Sequence, residues 1–600
     1  MRSVIMRSLV PAVFILVLLA WGISAQAVIV PDTYWQHDPA TPGDWNDPLN
    51  WTVRVPVEGD FAVIDNGGTA IITGDGAALI LTIGYNHEGA SHKCGYIVQD
   101  AGTVTISGMM EIVDSPAPGG YTLNGGQLYG AKEYVSHTNV AFTQNGGVHT
   151  VSDLLTISAK GTYILNGGQL SALGELVGDT DYGYFIQNGP SDNSCTNLMI
   201  GGAGGSYGIY TQNGGTTTVF DELGVGAGVG GGEYNLKDGL LFATSEHIGT
   251  LTAFGAVRGT FKQVGGTHVV SGGMQVNDGE FDLKGGELSA QYEYIGRGQG
   301  AAHGLGTFMQ SGATNTISEY LNIGYDSSIS GTYVLDSGEL TVGTDECVGC
   351  NGSGTFTQNG GMHVVSGKVS IGLCTGRGYY YLAGGTLETK DLVVWNSGTL
   401  EVANDPPTLI VHGNLFFGLY AIYNAGPGAT VHFMNGLAFS NQSQTSEYVA
   451  GLAETAFLYD GMAPLSLATF EVAGCDFGKT MEGFDVNFAV MGMTLGQYDD
   501  TYVRLVDKRN NGNRGGEAGN AEALYLRHLT IYAGSTLDLN GYHLYVEDYR
   551  YQMGSAVVNG EIEAWSTTEI GIPEPGTIFM VATAVVGMAA ARLRRMKHES

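Results

Sequence analysis

Six cysteines, a recurring glutamate and a recurring histidine are the residues of this 600-residue chain whose types and spacing could do chemistry. Cys347-Val-Gly-Cys350 has the spacing of half a zinc site, but no second C-x-x-C completes the ligand set. Aligned with Glu293-Tyr294-Ile295-Gly296, the stretch Glu346-Cys347-Val348-Gly349 is a repeat phrase with one substituted residue, so no metal is assigned to it. Cys350 and Cys374 stand one repeat apart, and this pair is the expected disulfide in an oxidising compartment. His149, His268 and His363 share a slot after a Gly-Gly, four or five repeats from one another. At ~4.8 Å per stacked turn they lie about 20 Å apart and cannot share an ion, so they read as half-exposed strand positions.

Carboxylates recur before an aliphatic-Gly pair at Glu175, Glu246, Glu293, Glu319 and Glu346. Glu293, Glu319 and Glu346 fall in consecutive units, which predicts a stripe of stacked like charges. Such a stripe must be solvated, screened or bridged by cations. Calcium bridging is the sharper expectation and a solvated face the plainer one; no other cofactor is implied. Asp499-Asp500 and Asp507 to Arg514 form the densest charged constellation, but Arg509 stands where a calcium loop needs an oxygen. No G-x-S-x-G, H-E-x-x-H or phosphate loop occurs in the body, and no catalytic residue is assigned.

The elements that must position these residues are repeats. One phrase, aromatic-x-Gln-x-Gly-Gly, occurs at Phe142 to Gly147, Tyr210 to Gly215 and Phe356 to Gly361, with variants at Ile97, Phe185, Phe261 and Phe308. A second, Tyr-x-Leu-x-x-Gly-x-Leu, starts at Tyr121, Tyr163, Tyr234, Phe281, Tyr333 and Tyr380. Successive anchors from 97 to 380 are 20 to 27 residues apart, with an aliphatic-Gly pair partway through many units. Short alternating strands between glycine corners cannot bury one face alone, whereas stacked units can. The expected fold is all-β: a parallel β-helix or solenoid over 81–400, preferred to a β-propeller with two phrases per blade. Trp45 and Trp51 place an N-terminal cap over 28–80. The phrases fade near residue 400, and 401–565 reads as a smaller β-rich domain or a degenerate continuation.

Composition agrees. Glycine contributes 95 residues and the formal charge is −33, while charged residues are only 14% against about 25% in ordinary domains. Without the terminal signals, 19 bases face 57 acids, a net charge near −38. So acidic a body has no field for nucleic acid.

Both ends read as addresses. Arg2, Arg7, the apolar run Val10 to Trp21 and the A-x-A site at Ala25 and Ala27 mark residues 1–27 as a secretory signal peptide. At the other end, a linker over 566–575 closes on Pro573-Glu574-Pro575. An uncharged apolar segment follows over 576–591, expected as a transmembrane sorting helix, and then a basic cytoplasmic tail over 592–600 with Arg592, Arg594 and Arg595. This order of parts resembles the PEP-CTERM sorting signal. The resemblance implies an exosortase-type partner, transient anchoring in the inner membrane and association with extracellular polysaccharide. The repeats are similar to those of exported bacterial repeat proteins and of autotransporter-type β-helical passengers. The expected function is therefore structural or adhesive, at the cell surface or in the extracellular matrix. A carbohydrate-active β-helix enzyme, a lyase or a hydrolase, is the alternative.

Overall fold

The computed structural model describes residues 30–571 apart from 85–93, 114–117, 227, 253–254, 299–303, 328, 405–406, 435–437, 461–467, 486 and 515–521. The chain winds into an all-β parallel solenoid of about 19 turns with almost no helix. A typical turn begins with a short strand on one face, Val140–Gln144. A Gly-Gly corner follows, and then the long strand Val148–Ser158. A register irregularity between Val151 and Leu154 bends that strand so that it covers two further faces. Farther along, the bend becomes a break, as between Ala313–Ile317 and Leu321–Ile323.

The corners explain the glycine. Gly147 has φ +72, and a Cβ there would lie 2.6 Å from the Gly126 carbonyl oxygen in the turn below. Neither the left-handed backbone nor the close approach between turns suits a larger residue. Beside the corners between residues 124 and 215, an asparagine hydrogen-bonds to its predecessor. Nδ2 of Asn145, Asn166, Asn188 and Asn213 donates to Oδ1 of Asn124, Asn145, Asn166 and Asn188 at 2.7–2.9 Å. Asn124 in turn donates to Asp100 at 2.8 Å.

Inside, the aromatic anchors form one continuous stack of twelve rings from Tyr121 to Tyr380. Neighbouring centroids are 4.4–5.1 Å apart and the planes are within 10° of parallel. At the N-terminal end of the described solenoid, Trp35, Trp45 and Trp51 are buried and meet edge to face at 5.1 and 4.8 Å. Stacking already begins there, because Thr33–Tyr34 pairs with Phe61–Ile64 and Gly43–Asp44 with Thr69–Ile72.

Of the two readings of 401–565, the structure takes the continuation. Parallel pairing runs from Thr386–Val394 through Thr408–Val411, Ala429–Met434, Thr455–Asp460, Val490–Leu495 and Glu522–Ile531 to Leu544–Gln552 and Ile562–Ile570. What changes is the first face, whose last strand is Ile422–Ala425. The 3-10 segment Ser446–Glu454 packs on that strand, and Thr455 and Tyr423 share a hydroxyl hydrogen bond of 2.7 Å. The repeat phrases fade before this face ends, since it continues through Gly398–Val402 and Ile422–Ala425. Ala25, Ala27, Pro573, Glu574, Pro575, Arg592, Arg594, Arg595 and the segment 576–591 lie outside the described residues. Among the described residues, no helix is long and apolar enough to cross a membrane.

Candidate functional site

The recurring glutamates point into the core, contrary to the solvated stripe expected of them. Their column reads Glu133, Leu155, Glu175, Leu198, Leu223, Glu246, Met274, Glu293, Leu321, Glu346, Val369 in successive turns. All five glutamates are at most 1% exposed. No two occupy adjacent turns, so the like-charge stack that motivated calcium bridging does not form. Glu319 is not in the column: Leu321 pairs with both Glu293 and Glu346. Glu319 sits on the bend, where its Oε1 accepts a 2.7 Å hydrogen bond from Gln291. Counting back two residues from the aliphatic-Gly pair would have excluded Glu319, whereas Glu133 stands the same distance before Val135-Ser136, where serine replaces the glycine.

The histidines are fully buried rather than half-exposed, one turn beyond a glutamate. The polar residues facing Glu133, Glu175, Glu246, Glu293 and Glu346 are His149, Asn193, His268, Asn315 and His363, an alternation of histidine and asparagine. The first group shows the chemistry. Nε2 of His149 lies 3.0 Å from Glu133, and Nδ1 lies 2.8 Å from the Tyr163 hydroxyl. That hydroxyl donates to Oε1 of Gln144 at 2.8 Å, and Nε2 of Gln144 donates to the Gln169 carbonyl at 2.9 Å. The glutamine is thus fixed from outside. Tyr163 spends its proton on it, so His149 Nδ1 must be a donor. The 3.0 Å contact of His149 Nε2 with Glu133 closes the group. The group is a strut across three turns.

Asparagine versions replace the histidine with an amide. Asn193 donates to Glu175 at 3.0 Å and Asn315 to Glu293 at 3.3 Å. Burial pushes the Glu175 carboxyl up to about 7 and the Glu293 carboxyl up to about 8, each partly offset by its asparagine.

The struts account for the two phrases. A Gln turn is followed by a tyrosine whose hydroxyl reaches the glutamine: Tyr121 to Gln99, Tyr163 to Gln144, Tyr210 to Gln187, Tyr234 to Gln212, Tyr333 to Gln310 and Tyr380 to Gln358, all at 2.5–2.9 Å. A Leu turn is followed by phenylalanine, as Leu123 by Phe142 and Leu165 by Phe185. Phe281 breaks the rule. It follows the Gln263 turn, and Oε1 of Gln263 and Nδ1 of His268 are buried without partners.

The cysteines pair locally: the structure bonds Cys347 to Cys350 and leaves Cys374 a free, exposed thiol at φ +55. The expected Cys350–Cys374 bridge is therefore not formed, because Cys350 has its partner within its own corner. The Asp507–Arg514 constellation is an internal tie. Arg514 clasps Asp507, Glu471 accepts from the Arg509 amide at 2.5 Å and Glu522 from the Asn511 amide at 2.9 Å. Burial raises the Glu471 carboxyl to about 7 and that of Glu522 to about 8. Asp499 and Asp500 are exposed, apart from it.

One outward feature lies on the first face near its end. Arg377–Leu382 turns out Arg377, Tyr379 and Tyr381; the neighbouring Gly398–Val402 turns out Thr399 and Glu401. In register, Tyr379 stands between Thr355 and Thr399, and Tyr381 between Thr357 and Glu401. The ring centroids are 6.5 Å apart with planes 23° from parallel. The Tyr379 hydroxyl donates to Glu401 at 2.7 Å; burial first, then this carboxylate, holds the phenol up to about 12. Two shallow depressions of about 340 and 460 Å³ flank the ridge, one at the corner by Arg377, Asn396 and Tyr420, the other beside Glu401, Asn404 and Asn424. The phrases did not single out these residues, because outward positions vary from turn to turn. A comparison with known proteins finds no matching family model, no matching curated protein and no matching solved structure.

Proposed function

We propose that this chain is an exported, non-enzymatic rod of the cell envelope or extracellular matrix, sorted through its C-terminal signal and associated with polysaccharide. One observation carries the reading. The glutamates, histidines, tyrosines and glutamines that the repeats supply are consumed within the core, holding one turn to the next. At ~4.8 Å per turn, about 19 turns make a rod of about 90 Å. The acidic body and the two terminal signals fit a rod displayed outside the cell, and the tail supplies the exosortase-type partner.

The test combines fractionation, imaging and an activity screen. The chain is expected in the envelope or matrix fraction, as rods of about 90 Å in negative stain, releasing neither reducing ends nor unsaturated products from a polysaccharide panel. A cytoplasmic chain would overturn the reading. Turnover of any panel member would replace it with that of a carbohydrate-active enzyme.

A further inference from the structure

We infer that the Tyr379–Tyr381 ridge is a binding site for a neutral glycan chain of unsubstituted hexopyranose units, which rests on the reading of the chain as a polysaccharide-associated rod. In a parallel ladder, side chains in one column normally cover each other, as the twelve interior rings do. Tyr379 and Tyr381 are different. Their register neighbours are Thr355, Thr357, Thr399 and Glu401, all too short to cover a phenol ring. Two half-exposed phenol rings thus stand side by side on a rigid sheet. The Glu401 hydrogen bond pins the Tyr379 hydroxyl, so that ring is oriented before any ligand arrives.

Around the ridge the available groups are hydrogen-bonding ones. The Arg377 guanidinium and the amides of Asn396 and Asn424 border the depressions. Apolar ring faces beside donors and acceptors match a pyranose, which presents C–H groups on its face and hydroxyls at its rim. An extended peptide would need a free strand edge, but both neighbouring strands of Arg377–Leu382 are paired throughout. Charge selects among glycans. Glu401 adds its own carboxylate to the ridge and the body stands near −38, so an anionic uronate chain meets a repulsive field whereas a neutral chain does not.

The test uses the full chain with cello-, laminari- and manno-oligosaccharides as neutral probes and oligogalacturonate as the anionic one, measured by calorimetry. At least one neutral probe is expected to bind and oligogalacturonate is not. In the Tyr379→Ala/Tyr381→Ala double variant, neutral binding should fall by at least about tenfold with an unchanged melting curve. Tyr379→Phe keeps the ring and should stay within about twofold of the parent. Binding unchanged in the alanine variant, preference for the uronate, or no binding by any neutral probe would each overturn the proposal. Failure here with the chain still in the envelope fraction leaves the rod reading standing; a cytoplasmic chain removes that reading whatever the probes do.

Discussion

Phe281 is the residue at which the strut chemistry can be measured directly. Every other Gln turn from Gln99 to Gln358 is followed by a tyrosine hydroxyl, whereas His268 Nδ1 and Gln263 Oε1 are buried with nothing between them. Leaving a buried donor or acceptor unsatisfied costs about 1–3 kcal/mol each. Phe281→Tyr is therefore expected to stabilise the rod by about 1 kcal/mol or more, read as a raised denaturant midpoint, while Tyr163→Phe should destabilise it comparably. No gain in the first variant would mean that the column has no room for the oxygen. The asparagine struts predict a pH dependence. Glu175 and Glu293 have folded values raised to about 7 and about 8, so the folded state holds protons that the unfolded chain has released. Their contribution is full only below the ordinary carboxylate value near 4.5, declines as pH rises above it, and is gone once pH has passed about 7 for Glu175 and about 8 for Glu293. The loss is at most about 3 kcal/mol for Glu175 and about 5 for Glu293. Melting temperature should fall between pH 5 and pH 9. In Glu175→Gln/Glu293→Gln, which keeps the shape and removes the proton, that fall should shrink; an unchanged slope would exclude these carboxyls as its source.

At the scale of the element, the corner is what makes a strand into a turn. Gly59 and Gly147 both have positive φ, +103 and +72, but only Gly147 also lies against backbone of another turn; around Gly59 nothing is within 4 Å. Gly147→Ala should cost about 1–3 kcal/mol in strain plus the displacement of the turn below, and Gly59→Ala the strain alone. Equal losses in denaturant melts would mean that stacking at the corner contributes nothing. These corners were legible in the sequence, as was the parallel stack, because glycine spacing and an aromatic every 20–27 residues are local signals. His149 was misread as half-exposed, since the run Val148-His149-Thr150-Val151 gives its strand no clear alternation. Yet the same slot is Leu128 and Leu170 in the turns below and above, which identifies a core position. The struts themselves needed contacts between turns: Glu133, His149, Tyr163 and Gln144 come from three of them, and pairing Gln with the following tyrosine shows only once the register is known. Glu319 was misplaced for the same reason, because a bend of variable length separates it from the aliphatic-Gly pair that sets the register.

Over the whole molecule, the two ends are built differently, and this sets how damage should spread. At the start, three buried indoles close the first turn, with Trp51 Nε1 donating to the Trp45 carbonyl at 2.8 Å. At the far end, Ile562–Ile570 pairs only with Leu544–Gln552 among the described residues, and Trp565 is 40% exposed. Charge guards that edge: Glu563 and Glu569 lie on the strand, and Lys479 donates to the Ala564 carbonyl at 2.7 Å and covers Trp565. Between the ends each turn touches only its neighbours, so stability is a sum of local terms rather than the property of one core. Trp45→Ala removes a wholly buried indole at a cost of about 3–5 kcal/mol. In a globular domain that loss would lower amide protection everywhere. Here it should open Gly43–Asp44, Thr69–Ile72 and the next turn or two, while amides around Tyr333 and Tyr380 exchange as before. Hydrogen exchange read by mass spectrometry distinguishes the two. Uniform loss of protection along the rod would show that the aromatic stack and the struts couple the turns far more strongly than nearest-neighbour contact allows, and the rod would then unfold as one unit.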